Sequence, residues 1–368
     1  MPFSPAQAAV SDLFVSAAAP DDAESTCLLD RARGAASRVV FQEETCWGVR
    51  SNAQIPRGLD FVTEGMANQI NRIESQLIRS NRMRRKSQQG NQRPDGDLNG
   101  ELQPMTVPII LKNCLCRTSD VTTTGSGPYQ HVFQGQVEIG EGLTVEKRFG
   151  FRSAADKVLQ YLGCRVNQFY FTAPLEGIVG WRAGLIAKKE VDVSEGFDTP
   201  STLDNSIENS QLAQYVADNE PFNSFHCAIE INGDPISTIT TGDMTIDNNM
   251  DREGFALTGT PYRVDIAEGD RAISGNLNAF FTPDNYDLFY AAYLNNDDLS
   301  LRWTFTRGSR VLMIYLPAIT IGGQVTPVIS GKGPLNLQLT YDAHEAEDLG
   351  TDIQVVVTSD EPHLTTAA

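Results

Sequence analysis

The chain has 368 residues, with 29 Lys and Arg against 47 Asp and Glu, for a formal net charge of −18. Hydrophobic residues make up 40% and charged residues 21%, the balance of an ordinary folded chain, which predicts a packed core. The acidity excludes a protein that grips nucleic acid through clustered cations, and no apolar run approaches the ~20 residues of a membrane span.

Residues 1–37, rich in Ala, Ser and Asp with little periodicity, read as an N-terminal arm. Their apolar stretches lack the basic start and unbroken apolar centre of a secretory signal, so the protein is expected to stay in the cytoplasm where it is made. Strand character begins at Arg38: SRVVFQEETCWGV is β-branched and aromatic. Next comes RSNRMRRKSQQGNQR, which holds Arg79, Arg82, Arg84, Arg85, Lys86 and Arg93 without one acid; the chain outside these six cations stands at 23 − 47 = −24. Such a run is a solvated loop tip or a basic finger that docks on an acidic surface of another subunit. At 97–115, a Gly-bearing strand passes through a Pro break into an apolar helix-like run.

Alternation of apolar and polar residues in YQHVFQGQVEIGEGLTVEKRFGF, with Val132, Val137, Ile139, Leu143 and Val145 as its apolar positions, predicts antiparallel sheet. SAADKVLQYLG predicts a helix, because Ser153 and Asp156 have capping-box spacing and Gly163 supplies a C-terminal stop. NQFYFTAPLEGIVGWRAGLIAKKEVDV predicts two strands joined by a turn at 174–177. A Ser-, Asn- and Asp-rich connector follows over 193–221, with one helical turn near 211–216. In the second half TPDNYDLFYAAYL predicts a helix capped by Thr282, with Pro283 in its first position and Leu288, Phe289, Ala292 and Tyr293 on one apolar face. A last strand-like piece, 353–357, precedes a polar tail.

Site chemistry is sparse. Cys27, Cys46, Cys114, Cys116, Cys164 and Cys227 form no CxxC pair, and His131, His226, His344 and His363 are scattered, so the thiols read as buried structural groups without metal. Phosphate-loop, dinucleotide, nucleophile-elbow and zinc-helix signatures are all missing. Asp243, Asp247 and Asp251 form an acidic run that glycoside chemistry could use, but in a chain of this charge it reads as a solvated face. NNDD at 295–298 lacks the Gly and terminal Glu of a calcium loop.

Three blocks recur in one order. The segment 61–75 resembles 238–253, with Met66 against Met244; 97–115 resembles 272–294, with Gly100 against Gly275; 164–192 resembles 317–343. The expectation is a mainly β chain with a duplicated sandwich or barrel unit and short flanking helices, divided into an arm at 1–37, a first unit at 38–192, a connector at 193–221, a second unit at 222–348 and a tail at 349–368. An acidic, duplicated unit without site residues points to assembly, since n chains carrying two copies build a ring of 2n-fold pseudosymmetry.

SRVVFQEETCWGV, the 61–86 segment, DLNGELQP, MTIDNNM, ISGNLNAFF, MIYLPAITI and GKGPLNLQLTYDA, in that order, resemble the major tail tube proteins of long-tailed, siphovirus-type bacteriophages. The resemblance covers roughly 38–348. It implies a structural virion protein and not an enzyme, with no cofactor and no membrane. Its β-sandwich units would join strands with neighbours into a barrel around a channel, and the rings would stack into a tube for genome delivery. The implied partners are further copies of the chain, tail terminator and tail tip proteins, and a tape measure protein and then DNA in the channel. The 61–96 stretch occupies the place of the long hairpin or loop that reaches toward the adjacent ring, which makes Arg79, Arg82, Arg84, Arg85 and Lys86 the inter-ring or subunit contact candidates. About twice the length of simple one-domain members, the chain is expected to form a ring of three with pseudo-sixfold symmetry; six chains of one elaborated domain is the alternative. A carbohydrate-active or carbohydrate-binding β-sandwich is the competing reading from another class.

Overall fold

The structure is a computed structural model that describes residues 30–360 apart from 52–53, 79, 81, 118–119, 123–127, 152–154, 194–195, 198–218 and 330. Period-two alternation dominates it: the buried positions of 272–280 fall on every second residue, as do those of 336–343, which is how a strand places one face on a core. The first half contains β1 (Arg38–Glu43), β2 (Arg57–Leu59), β3 (Thr63–Glu64), β4 (Ala67–Ile73), β5 (Gln88–Glu101), α1 (Val107–Leu115), β6 (Asp120–Thr122), β7 (Tyr129–Gln134), β8 (Leu143–Phe149), β9 (Lys157–Ala173), β10 (Gly180–Ile186) and β11 (Lys189–Val193). The second contains β12 (Cys227–Ile231), β13 (Asp234–Pro235), β14 (Ile239–Asp247), β15 (Ala272–Phe280), α2 (Pro283–Asn295), β16 (Leu299–Arg307), β17 (Arg310–Gln324), β18 (Asn336–Ala343) and β19 (Gln354–Ser359). The fold is mainly β, as the composition and alternation predict.

Pairing follows one scheme in both halves, antiparallel throughout. In the first, β4, β5, β10 and the latter part of β9 are successive neighbours. In the second, β14, β15, β18 and the latter part of β17 are. The early parts of β9 and β17 turn into a second layer, where β9 lies between β8 and β11 and β17 lies between β16 and β19. β1 and β2 extend the first of these layers, and β12 and β13 the second. Two ladders join the halves: in this surface β14 runs beside β9, from Gly242 opposite Ala173 to Asp247 opposite Gln168, and in the second layer β19 runs beside β7. Eight strands thus form one continuous antiparallel surface, with side chains alternating between a core face and an open face.

The joint is packed as well as hydrogen-bonded. Phe171 of β9 meets Trp303 and Phe305 of β16 edge-on, with ring centroids 5.3 and 5.7 Å apart, a favoured aromatic geometry. Each half also sets a glycine beneath a cross-strand aromatic ring: Gly100 opposite Trp181 and Gly275 opposite Tyr341. The Trp181 indole N–H donates to Glu101 O (3.0 Å), and the Tyr341 hydroxyl donates to Asp243 O (2.7 Å). Only a residue without a side chain leaves room for those rings to cross the strand.

Both helices lie where the Pro-containing breaks predict. Thr282 Oγ1 accepts from Asn285 N, Pro283 opens α2, and Asn296 closes it in the left-handed region at φ 57°. Phe289 and Ala292 of the expected face are buried, whereas Tyr293 remains half exposed. α1 is buried along its whole length, and Lys112 on it is matched by Glu43 at 3.0 Å, so that the buried charge is paired.

The helix expected over SAADKVLQYLG is a correction. Residues 157–162 begin β9 and pair with β8 on one side and β11 on the other, because ladders on both sides satisfy the backbone more fully than one isolated helical turn. Gly163, read as a helix stop, has φ 67° and marks the bend between layers, with Trp47 lying over it. In β7 the buried positions are His131 and Phe133, so Val132 faces the other way, and Val137 is exposed beyond the strand. The turn expected at 211–216, most of the 1–37 arm and Cys27 lie outside the described residues.

Candidate assembly surfaces

The open face of the eight-strand surface is polar. Along residues 97–101 of β5, 168–173 of β9, and β10, β14, β15 and β18, its charged side chains are Asp97, Glu101, Asp243, Asp247, Asp342 and a single cation, Arg182. Arg182 donates to Asp97 at 2.7 Å, so this face carries excess negative charge. Between the charges stand amides and hydroxyls: Asn276 donates from both its backbone and its side chain to Asp243, and Gln168 donates to Asp247. Asp251 lies beyond β14 on an exposed loop, where Oδ1 accepts from Glu253 N (2.8 Å). The three aspartates singled out in the sequence therefore do not converge, and no group of His, Cys, Asp or Glu among the described residues could hold a metal ion.

Two strand edges of this surface are open among the described pairings. β4 has β5 on one side only, and residues 320–324 of β17 have β18 on one side only. The corresponding stretch of β9 has β10 on one side and β14 on the other. An unpaired edge is a template for pairing with another chain.

The hairpin of β4 and β5 carries the basic run past the end of the sheet. Arg82, Arg84, Arg85 and Lys86 are all exposed; Arg79 lies outside the described residues. The contact nearest to an ion pair is Arg84 with Glu74 at 3.9 Å, and both side chains are largely solvated. Exposed apolar side chains stand among the cations: Ile73, Leu77, Met83 and Ile78, the last 101% exposed. A tip that is both basic and apolar has the composition of a contact surface.

The corresponding turn of the second half, residues 248–271 between β14 and β15, is instead folded back onto the first half. Arg263 has no exposed side-chain surface. Its guanidinium donates twice to Asp95, at 2.8 and 3.0 Å, and once to Ala187 O at 2.6 Å, while Nε donates to Arg252 O. Arg93 pairs with Glu253, which holds the Arg93 guanidinium above its usual range and the Glu253 carboxyl below the usual carboxylate range. Arg165 donates to Ile266 O (2.7 Å) and Glu268 (2.6 Å). Ile266, Met250, Ile186 and Ile139 form a small buried cluster against Trp47. Beside this turn, at the same end of the sheet, opens a polar cavity of about 620 Å³ lined by Glu268, Asp270, Arg271, His344, Glu345 and Asp352 among others, with Arg271 paired to Asp352 at 2.8 Å.

Cys46, Cys114, Cys116, Cys164 and Cys227 are free thiols. Burial pushes Cys114 and Cys227 up to about 12 and Cys116 up to about 11, values at which a thiol stays protonated and unreactive. Sequence reasoning missed Glu44, a buried carboxylate that accepts from Gly163 N (2.8 Å) and Thr144 Oγ1 (2.7 Å); desolvation raises its pKa against those bonds. It also missed Arg263, since nothing in a single arginine of a turn signals full burial.

An acidic open face, free strand edges and an exposed basic finger define a structural subunit built to join other subunits. A family model described as phage tail tube protein matches residues 34–343, from just ahead of β1 to the end of β18. The chain belongs to the phage tail tube protein family, and as a member it is a structural component of the virion tail that assembles into the tail tube with other tail components. No curated protein matches the chain. No helix among the described residues is long and apolar enough to cross a membrane.

Proposed function

We propose that three chains close into a ring of pseudo-sixfold symmetry, and that such rings stack into a tube whose channel delivers the genome. The observation that carries this reading is the β9–β14 ladder. It joins two similarly paired four-strand sets within one chain, and the edge that β14 occupies on β9 stands open at residues 320–324 of β17. A second copy's β3–β4 edge fits there, with Ile321 coming toward Val62 as Phe171 lies opposite Met244. Repetition of a head-to-tail contact closes a ring when the rotation allows, and a closed barrel leaves no strand edge exposed. The reading takes 38–192 and 222–348 as duplicated units, with 193–221 as the connector.

In this ring the open polar face lines the channel. Three chains bring 3 × −18 = −54 formal charges around it. DNA carries one phosphate charge per ~1.7 Å of helix, so a basic wall would hold it by many ion pairs, whereas a face bearing Asp97, Asp243, Asp247 and Asp342 repels it and lets it slide. The channel would hold a tape measure protein before DNA, without sequence-specific contacts. Terminator and tip proteins would close its ends, and assembly would take place in the host cytoplasm without catalysis. The finger bearing Arg79, Arg82, Arg84, Arg85 and Lys86 serves as a contact between subunits.

Electron microscopy of the purified protein tests this reading. Rings or tubes of three chains with a central hole, lined by the Asp243 face, are expected; rings of six chains, or tubes with this face outside, would overturn it.

A further inference from the structure

The finger and the 248–271 turn spring from corresponding strand pairs, β4 with β5 and β14 with β15, yet only the turn has a seat within the chain. That seat is the end of the first half, where Arg263 clasps Asp95. The second half presents the same end. Asp270 precedes Gly275 beside Tyr341 by the interval at which Asp95 precedes Gly100 beside Trp181. Among the described residues no cation pairs with Asp270 or Glu345, and both line the 620 Å³ cavity. Exposed Val137 (96%) lines it, and exposed Leu349 (46%) precedes Gly350 of its lining. The ladder registers place finger and cavity at one end of the sheet, since β4 leaves it past Asp95, and Ala272 and Ala343 end β15 and β18 on that side.

We propose that the finger of one copy docks in the Asp270–Glu345 cavity of a second copy, the one whose β17 edge adjoins its β4. Arg82, Arg84 and Arg85 supply on Asp270 the cation that Arg263 supplies on Asp95, and Met83, Ile78 and Leu77 cover Val137 and Leu349. The occupant is a second copy of this chain because charge and apolar surface match on both sides and because the 248–271 turn already makes the equivalent contact inside the chain. The proposal rests on the tube reading above and adds the acceptor to it.

The test is a charge exchange. The variant Arg82→Glu/Arg84→Glu/Arg85→Glu is expected to stay folded by circular dichroism and to raise the critical concentration for tubes by at least about tenfold. Asp270→Arg/Glu345→Arg alone is expected to do the same, and the five substitutions together to restore tubes. In a second measurement, Arg84→Cys/Asp270→Cys tubes form chain-to-chain disulfides under mild oxidation that neither single variant forms. If wild-type tubes form while Asp270→Arg/Glu345→Arg polymerises normally, or while folded exchange and cysteine-pair variants show neither rescue nor cross-link, the docking proposal is overturned and the tube reading stands. Absence of any ring or tube from wild-type protein removes both.

Discussion

Two turns of the molecule, 74–87 and 248–271, join corresponding strands and meet opposite fates. The first stands in solvent with Ile78, Met83 and four described cations exposed; the second buries Arg263 and Ile266 against the other half. The same topological position is thus spent once on internal cohesion and once on a surface left for others. The difference lies in side chains: the buried turn carries both an arginine and carboxylates that its neighbour complements, whereas the finger's sequence holds five cations, and the contact between its described cations and an acid is the solvated Arg84–Glu74 pair at 3.9 Å.

Substitutions sharpen this contrast. The largest effect is expected from Arg263→Met, which leaves Asp95 with a partly buried charge and no partner; breaking such a pair costs about 3–5 kcal/mol, read by urea unfolding. Arg85→Met in the finger should stay within about 0.5 kcal/mol, and equal effects at the two sites would erase the distinction. Next comes Ile266→Ala, expected to cost about 2 kcal/mol by cavity formation, while Ile78→Ala leaves subunit stability unchanged and weakens only polymerisation.

A third comparison probes the two glycines. An added methyl at Gly275 would lie 2.2 Å from Asp243 O and 2.4 Å from the Tyr341 hydroxyl, whereas at Gly100 the nearest atom is Trp181 Nε1 at 3.2 Å. Gly275→Ala is therefore expected to cost about 1–3 kcal/mol by overpacking, and Gly100→Ala less; a reversed order in thermal melts would refute the account. The smallest effect concerns acid. Because Arg93 lowers the Glu253 carboxyl, the pair contributes above the ordinary carboxylate range and is lost as pH falls through the lowered value. The protection of amides near 253, measured against their intrinsic exchange rates at each pH, should fall on going from pH 7 to about 3, with no matching change at the finger, and Glu253→Gln should show the lower protection already at neutral pH.

Much of the fold was legible because its signals are local. Alternation announced β7 and β8, and Thr282 and Pro283 announced α2. The failure at 153–163 is equally physical: Ser153, Asp156 and Gly163 are real helix signals, and neighbours remote in sequence, β8 and β11, outbid them. The basic finger could be read from composition. Its contrast with the 248–271 turn could not, because Arg263 and Asp95 are brought together only by the β9–β14 ladder and the strands around it.

β19 has a consequence in time. It is the last strand among the described residues, yet it lies between β17 and β7, with Val356 opposite Met313 and Val132. β7 therefore waits, from early in synthesis until more than two hundred residues later, for the strand that completes it. Contacts of such sequence separation slow folding, so the second layer closes only after β19 has left the ribosome. Among the described strands, the partner that fills the gap between β7 and β17 is thus the one that synthesis delivers last.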